Sequence, residues 1–247
     1  MKKLFYLLIS VYIWAMFLLS SMICTPIALV LKLCTMHFDR RLTILQQFSC
    51  FWGSLYIWLS PLWTLKMEGR EKVDRKKAYV MVANHQSLLD IAVIDRTFFH
   101  YKWVAKAELF KVPFVGWRLQ MNRNVRIDRN NVASQRRMLS DCLRHLREGS
   151  SVMIFPEGTR SETGDMGHFR NGAFYVAKEG GVDILPMVIT GTLQLLPKTT
   201  FIFQSCQRIR LRVLDPIPYE SFKDLPEQEI AGLVKDRMEQ ALQALRA

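Results

Sequence analysis

His85 and Asp90, with four residues between them, form the pair best suited to acid–base chemistry in this sequence. An imidazole accepts a proton at neutral pH, and a carboxylate on its other ring nitrogen fixes the tautomer and stabilises the imidazolium. Ser87 and Asp90 also match the capping box of a helix start, so Asp90 could simply close a first turn. Because helical side chains tilt towards the N-terminus, the same carboxylate could reach His85 as well.

A second polar segment, Phe-Pro-Glu-Gly-Thr-Arg-Ser at 155–161, could supply an anion clamp. Gly158 lets the backbone approach a ligand, and the planar guanidinium of Arg160 matches phosphate oxygens. Glu157 could accept a hydrogen bond from a hydroxyl. The alternative is an ion pair between Glu157 and Arg160 across a surface loop, worth about 0 to 1 kcal/mol. Because both polar segments follow predicted buried strands, we expect them to form one site at a sheet edge.

The elements that must position these segments alternate between strands and helices. Apolar runs predict strands at 78–83, 102–105, 124–127, 151–155 and 183–188. Helical periodicity predicts helices at 87–97, 132–148, 172–178 and 225–245. This alternation predicts an α/β fold with a mixed, largely parallel sheet flanked by helices. The segment 208–214 alternates with period two, which favours a half-exposed edge strand.

The N-terminal region is apolar enough to enter a bilayer. Residues 4–31 contain no charged residue and no histidine. This run exceeds the roughly 20 residues needed to cross a bilayer and the about 7 to 15 of a signal peptide, so we expect a retained anchor. A second uncharged segment, 42–65, is more polar. Two complete spans would place the basic loop 32–41 opposite a basic catalytic domain, which favours a two-helix membrane-embedded hairpin in one leaflet instead. The predicted division is an anchor at 1–65 and a catalytic domain at 66–247.

Composition limits the possible partners. The formal net charge of +12 attracts phosphates on lipids, cofactors or nucleic acids, although many of these charges could belong to solvated helix faces. No recognition helix, zinc finger or RNA-binding aromatic pair is present, so no nucleic acid is expected. The five cysteines lack a Cys-x-x-Cys spacing, which favours a reducing compartment and no zinc site. A Gly-x-Ser-x-Gly elbow is absent, which disfavours a serine hydrolase.

The two polar segments together resemble the glycerolipid acyltransferase family, and within it the 1-acylglycerol-3-phosphate acyltransferases, bacterial ones included. Its specific blocks are Asn84 to Asp90 and Phe155 to Ser161, and its weaker ones are Lys106 to Gly116, Val125 to Arg129 and Ile184 to Val188. The resemblance covers about 66–214. It departs at Asn122-Arg123-Asn124, where relatives commonly carry a glycine.

The resemblance implies a glycerol-3-phosphate acyltransferase-like fold and a defined reaction. A fatty acyl group would pass from an acyl thioester to the sn-2 hydroxyl of 1-acylglycerol 3-phosphate (lysophosphatidic acid), forming phosphatidic acid in phospholipid biosynthesis. His85 would act as the general base, oriented by Asp90. The expected substrate-binding residues are Glu157, Gly158, Thr159, Arg160, Lys106 and Arg129, of which Arg160 and Lys106 hold the phosphate.

The resemblance also implies partners and a location. Acyl-CoA or acyl carrier protein would be the donor, with no bound cofactor and no metal. Lysophosphatidic acid and membrane lipids would be the other partners, at the cytoplasmic face of the inner membrane. The alternatives are an acyltransferase for another lysolipid, a hydrolase, or a non-catalytic basic membrane scaffold.

Overall fold

The computed structural model describes residues 2–246 and contains a seven-stranded mixed sheet. The strands are β1 (Trp63–Glu68), β2 (Val80–Ala83), β3 (Tyr101–Lys106), β4 (Val125–Ile127), β5 (Ser151–Ile154), β6 (Ile184–Thr190) and β7 (Gln207–Val213). Their order is β1-β7-β6-β2-β5-β3-β4, and the pairing of β6 with β7 is antiparallel whereas the other pairings are parallel. The predicted mixed, largely parallel sheet is confirmed.

Helices cover both faces of this sheet. They are α1 (Lys2–Thr35), α2 (Thr43–Trp58), α3 (Leu89–Asp95), α4 (Val115–Met121), α5 (Val132–Arg147), α6 (Gly172–Gly180) and α7 (Glu227–Arg246). Successive side chains of β2 enter two different cores: Met81 packs with residues of α1, α2 and α3, whereas Val80 packs with residues of α5, α6 and α7. The sheet therefore divides two apolar layers, as expected when parallel strands are buried on both faces.

The predicted strands and helices agree with the observed ones to within two residues at each end, but two elements were missed. Strand β1 lies at the end of the uncharged segment 42–65, which had been assigned to the membrane anchor. Helix α4 is only seven residues long and follows Pro113, so its periodicity is too short to recognise.

Strand β7 is not an edge strand, and that expectation was wrong. It lies between β6 and β1, and its register places Arg212 opposite Glu68, whose carboxylate accepts from the guanidinium at 2.8 Å. Its period-two pattern arises because Ile209 and its apolar neighbours face a core while the arginines between them are partly exposed. An alternating pattern shows that one face of a strand is exposed, and it does not show whether a neighbouring strand is present.

The two N-terminal helices differ in character. Helix α1 is the one helix in the described residues that is long and apolar enough to cross a membrane. Helix α2 has 16 residues, of which half are buried, and it packs against α3. The expected pair of apolar helices is therefore present as a hairpin, but only α1 has the dimensions of a membrane span.

The hairpin contacts the α/β domain at two separate points, one on α1 and one in the loop between α1 and α2. At one end Trp14 Nε1 donates to Phe201 O at 2.8 Å, in the loop that follows β6. At the tip, Arg41 O accepts from Lys102 Nζ at 2.8 Å, at the beginning of β3. The first contact follows β6 and the second lies on β3, two strands that β2 and β5 separate, so the hairpin extends across part of the domain. The large apolar side chains of α1 that face away from the domain are exposed.

Candidate active site

His85 and Asp90 meet directly, at the carboxyl end of β2. His85 Nδ1 lies 2.8 Å from Asp90 Oδ2, and the aspartate side chain is fully buried while that of the histidine is 15% exposed. The backbone N–H groups of Gln86 and Ser87 also donate to Asp90 Oδ2, at 2.6 and 2.8 Å. One carboxylate therefore both closes the turn before α3 and orients the imidazole. Because the carboxylate can only accept, Nδ1 carries the proton and Nε2 is left as the basic nitrogen.

The second oxygen of Asp90 has a partner that sequence reasoning missed. Thr192 Oγ1 donates to Asp90 Oδ1 at 2.6 Å, and both side chains are fully buried. Thr192 lies in the loop after β6, 102 residues further along the chain. Its position just beyond a predicted buried strand was the available signal. The carboxylate thus accepts hydrogen bonds on both oxygens, which restrains its rotation.

Glu157 joins the two polar segments. Its Oε1 accepts from the backbone N–H of His85 at 2.8 Å, and its Oε2 accepts from the backbone N–H of Gly167 at 2.9 Å. The side chain is 7% exposed, and burial raises the pKa of its carboxyl group, an effect that these two hydrogen bonds oppose. The alternative ion pair between Glu157 and Arg160 does not form among the described residues; the carboxylate binds two backbone N–H groups instead.

Two further contacts fix the histidine loop. The backbone N–H of Ser161 donates to His85 O at 2.7 Å, which holds the residue after Arg160 against the histidine. The ring of Phe155 stacks on the imidazole, with centroids 3.9 Å apart and planes 10° from parallel. The imidazole is therefore held by the hydrogen bond from Nδ1 to Asp90 and by the packing of Phe155 on one face.

A cleft of about 660 Å³ passes over this site. Five of the eight predicted site residues line it with polar side chains: His85, Lys106, Arg129, Thr159 and Arg160. Gly158 lines it too, whereas Glu157 and Asp90 lie behind the surface and act through their hydrogen bonds. Apolar and aromatic side chains of α1 and α2 complete the wall, among them Phe17, Trp52 and Tyr56.

The cations of the cleft differ in their partners. Lys106 lies 3.1 Å from Glu108, an exposed ion pair. Burial lowers the pKa of the Arg129 guanidinium, and the nearby charge of Arg170 lowers it further. Arg170 also lines the cleft and was not singled out from the sequence.

Gly158 adopts a φ of +72°, in the left-handed region that favours glycine. Its backbone N–H donates to Phe155 O at 3.0 Å and so closes the turn that carries Thr159 and Arg160. A Cβ at this position would lie 2.9 Å from Arg170 Nε. Glycine is therefore required both for the turn and for the arginine that lies against it.

The hairpin is joined to this region by a buried ion pair. Arg118 of α4 donates to Asp95 Oδ2 at 2.6 Å and to Ser49 O of α2 at 3.0 Å. Tyr101 OH donates to the other Asp95 oxygen at 2.6 Å. Arg118 also lines the cleft, so this contact sets how α2 borders the cleft. Within residues 2–246, no group of three His, Cys, Asp or Glu side chains is placed to hold a metal ion.

This geometry suits general-base catalysis. A hydroxyl at Nε2 of His85 would lose its proton to an imidazole that Asp90 orients, while the neighbouring guanidinium groups attract an anionic part of the same molecule.

Comparison with known proteins agrees with this geometry. The chain is 32% identical over 221 residues to a chloroplastic 1-acyl-sn-glycerol-3-phosphate acyltransferase of Brassica napus, which covers 87% of this chain and 63% of the relative. It is 33% identical over 218 residues to the Saccharomyces cerevisiae enzyme of that name, covering 86% and 70%. The chain thus spans somewhat less than two thirds of the Brassica relative's length.

A solved structure shares the fold over the whole chain. The crystal structure of the 1-acyl-sn-glycerophosphate acyltransferase PlsC from Thermotoga maritima superposes with a TM-score of 0.83 and 25% identity, covering 100% of this chain and 98% of that one. The model of the family described as Acyltransferase matches residues 64–190, a range that contains both polar segments. The chain therefore belongs to the Acyltransferase family.

Proposed function

We propose that this protein transfers a fatty acyl group from an acyl thioester to the sn-2 hydroxyl of 1-acylglycerol 3-phosphate, forming phosphatidic acid for phospholipid biosynthesis. The observation that carries the proposal is the 2.8 Å contact between His85 Nδ1 and Asp90 Oδ2, in a cleft that Arg160 also lines. The names of the Brassica and yeast relatives support the acceptor.

In the proposed step, His85 Nε2 takes the proton of the acceptor hydroxyl as the oxygen attacks the thioester carbonyl. The tetrahedral intermediate then expels the thiolate, which recovers a proton from the imidazolium. Asp90 keeps the imidazole in the required tautomer and stabilises its charged form. Such general-base catalysis contributes typically about 10²- to 10⁴-fold in rate. The protein needs neither an acyl-enzyme nor a bound cofactor for this sequence of steps.

Positioning of the acceptor falls to the cations and to the 155–161 loop. Arg160, helped by Lys106 and Arg129, holds the glycerol phosphate, and Thr159 and Gly158 form the loop surface beside it. Glu157 positions the base, because its carboxylate accepts the backbone N–H of His85. Holding the hydroxyl at His85 turns a bimolecular encounter into an oriented reaction.

The donor is acyl-CoA or acyl carrier protein, and both suit a basic surface because one carries phosphates and the other is acidic. The exposed apolar face of α1 supports a location of the cleft at the membrane, where the lipid substrate would keep its chains in the bilayer. Exposing such a chain to water costs about 0.8 kcal/mol per CH₂. We place the protein at the cytoplasmic face of the inner membrane.

One assay separates this function from its alternatives. Purified protein is given lysophosphatidic acid with either acyl-CoA or acyl carrier protein donor, and phosphatidic acid is measured. The His85→Ala variant should lose activity, while His37→Ala, which removes an exposed histidine at the hairpin tip, should not. Product formed by His85→Ala would remove His85 as the base. No product from the wild type with any donor would favour a scaffold, and product only with another lysolipid would change the acceptor.

We further propose that the hairpin lies in one leaflet. Helix α1 would be about 51 Å long at 1.5 Å per residue, yet both Trp14 in α1 and Arg41 at the hairpin tip contact the α/β domain. A helix that crossed the bilayer could not keep both contacts. A single cysteine at position 40, in a background without the five native cysteines, should be labelled from the cytoplasmic side of sealed vesicles. Labelling only from the far side would contradict the hairpin.

A further inference from the structure

We propose that Arg170 is a further phosphate-binding residue and that, with Arg129, it selects an acceptor bearing a phosphomonoester. This inference rests on the proposed function and adds a residue and a specificity to it. Arg170 lies outside the segments that suggested a phosphate clamp, immediately before α6.

The first observation is that these cations form no ion pair with a carboxylate among the described residues; Glu108, which raises the pKa of Arg129, is itself paired with Lys106. Other arginines of the protein face acids: Arg118 lies 2.6 Å from Asp95, and Arg212 lies 2.8 Å from Glu68. Among the described residues, Arg129 and Arg170 have no such partner, although both line the cleft. Two unpaired guanidinium groups in one cleft leave a local excess of positive charge.

The second observation is that the two groups are close enough to repel one another. The charge of Arg170 contributes to the lowered pKa of Arg129, after the larger effect of burial. Placing like charges together destabilises the empty site, and an anion between them removes that cost. Arg170 is exposed to solvent on its other side, so its side chain can turn towards an incoming ligand.

The third observation is that the fold fixes Arg170 beside the 155–161 loop. Its backbone N–H donates to Pro156 O at 2.9 Å. Its side chain lies across Gly158, where a Cβ would come within 2.9 Å of Nε. The first turn of α6, including Gly172, lines the same cleft and adds the partial positive charge of a helix start.

The charge of the ligand follows from this arrangement. A phosphomonoester carries about −1.5 to −2 charges near neutral pH, whereas a phosphodiester carries one. Two arginines without an ion-pair partner, in the cleft that Arg160 also lines, match the more highly charged group. The site should therefore prefer lysophosphatidic acid over a lysolipid whose phosphate bears a second substituent.

The test compares KM for lysophosphatidic acid with the inhibition constant of lysophosphatidylglycerol, a phosphodiester competitor. In Arg170→Ala, KM should rise about tenfold, as expected for one lost charge-assisted hydrogen bond, with a smaller change in kcat. The inhibition constant should change less, so discrimination between the lipids falls. Arg170→Lys should recover part of it. Arg136→Ala, which removes an exposed charge of α5 outside the cleft, should behave as wild type.

The outcomes are distinct. If the wild type forms phosphatidic acid but Arg170→Ala keeps its KM, or if both constants change in parallel, Arg170 does not select the phosphomonoester. A wild-type protein that forms no phosphatidic acid overturns the proposed function itself.

Discussion

Glu157 Oε1 accepts a hydrogen bond from the backbone N–H of His85 at 2.8 Å, so a side chain of one polar segment holds the backbone of the other. The segments are 72 residues apart in sequence and follow adjacent parallel strands, β2 and β5. The catalytic geometry therefore depends on strand pairing. Substitutions can distinguish residues that act on catalysis from residues that only stabilise the fold.

Thr192→Val should slow catalysis without preventing folding. The substitution removes the hydroxyl that donates to Asp90 Oδ1 at 2.6 Å, with little change in side-chain volume. Asp90 then loses one of its restraints, so we expect kcat to fall about tenfold, within the range of a lost hydrogen bond to a charged group, while the acceptor KM changes little. Steady-state kinetics with lysophosphatidic acid would measure both constants.

Thr97→Val is the matched control for this prediction. Thr97 is also fully buried, and its hydroxyl donates to Ile94 O at 2.7 Å without touching Asp90. It should lower stability but leave kcat close to that of wild type. Equal kcat losses in the two variants would mean that Thr192 acts only on folding.

Gly53→Ala should weaken the docking of α2 on α3. A Cβ at Gly53 would collide with the Asp95 carboxylate, which is held by Arg118 and Tyr101. Forcing an extra methyl group into a packed site costs about 1 to 3 kcal/mol, so the unfolding temperature in detergent should fall by several degrees. Activity should fall too, since the ion pair borders the cleft.

Gly232→Ala provides the comparison. Gly232 is an exposed helical residue of α7, and an added Cβ would meet no atom within 4 Å. Because alanine favours the helix by about 1 kcal/mol over glycine, this variant should be neutral or more stable. A Gly53→Ala protein as stable as Gly232→Ala would show that α2 can shift at no cost.

Arg123→Gly should stabilise the protein. Arg123 has a φ of +54° in the turn between α4 and β4. A left-handed conformation costs an L-residue roughly 1 kcal/mol or more, and glycine avoids this strain. We expect a gain of about 1 kcal/mol, partly offset by the greater entropy of the unfolded chain.

Hydrogen bonds of Asn122 and Asn124 hold the turn that contains Arg123 in its strained conformation. Asn122 Nδ2 donates to Ser49 Oγ at 2.9 Å, and Asn124 Oδ1 accepts from the backbone N–H of Trp103 at 2.8 Å. Thermal unfolding of Arg123→Gly and Arg123→Ala would test the strain, because alanine removes the same side chain without relieving the backbone. Equal shifts in the two variants would assign the effect to the lost charge.

His100 should make the protein sensitive to acid. Burial, with the nearby charges of Lys102 and Arg41, lowers the pKa of His100 from 6.5 to about 3. Between pH 6.5 and pH 3 the folded state therefore binds fewer protons at His100 than the unfolded state does. The contribution of His100 to the free energy of unfolding is then largest above pH 6.5 and declines as the pH falls towards 3. His100→Gln should reduce the loss between pH 7 and pH 4.5 by about 1 to 3 kcal/mol.

The measurement is chemical unfolding of both proteins in detergent at the two pH values. Glutamine keeps a polar partner for Ser150 Oγ, which lies 2.9 Å from His100 Nε2. The wild type should lose more stability on acidification than the variant. An identical loss would assign acid sensitivity to other groups, His145 among them, whose pKa burial also lowers.

The sequence alone determined the local elements and the chemical groups. Helix α5 illustrates this, since it was predicted at 132–148 and begins directly after Asn131, whose Oδ1 accepts the backbone N–H of Ser134 at 3.0 Å. The reach of Asp90 back to His85 was likewise predictable, because both belong to one helix start whose side-chain directions are known. Such features depend on residues within about one turn of each other.

Contacts between distant segments were decided only by the tertiary structure. Thr192 reaches Asp90 because β6 pairs with β2, and β7 is an inner strand because β1 pairs beside it. Arg170 enters the cleft because its backbone N–H binds Pro156 O across the loop between β5 and α6, and Gly158 leaves space for its side chain. Periodicity records which side of an element is buried, whereas strand order and side-chain partners are set by the packing of the whole chain.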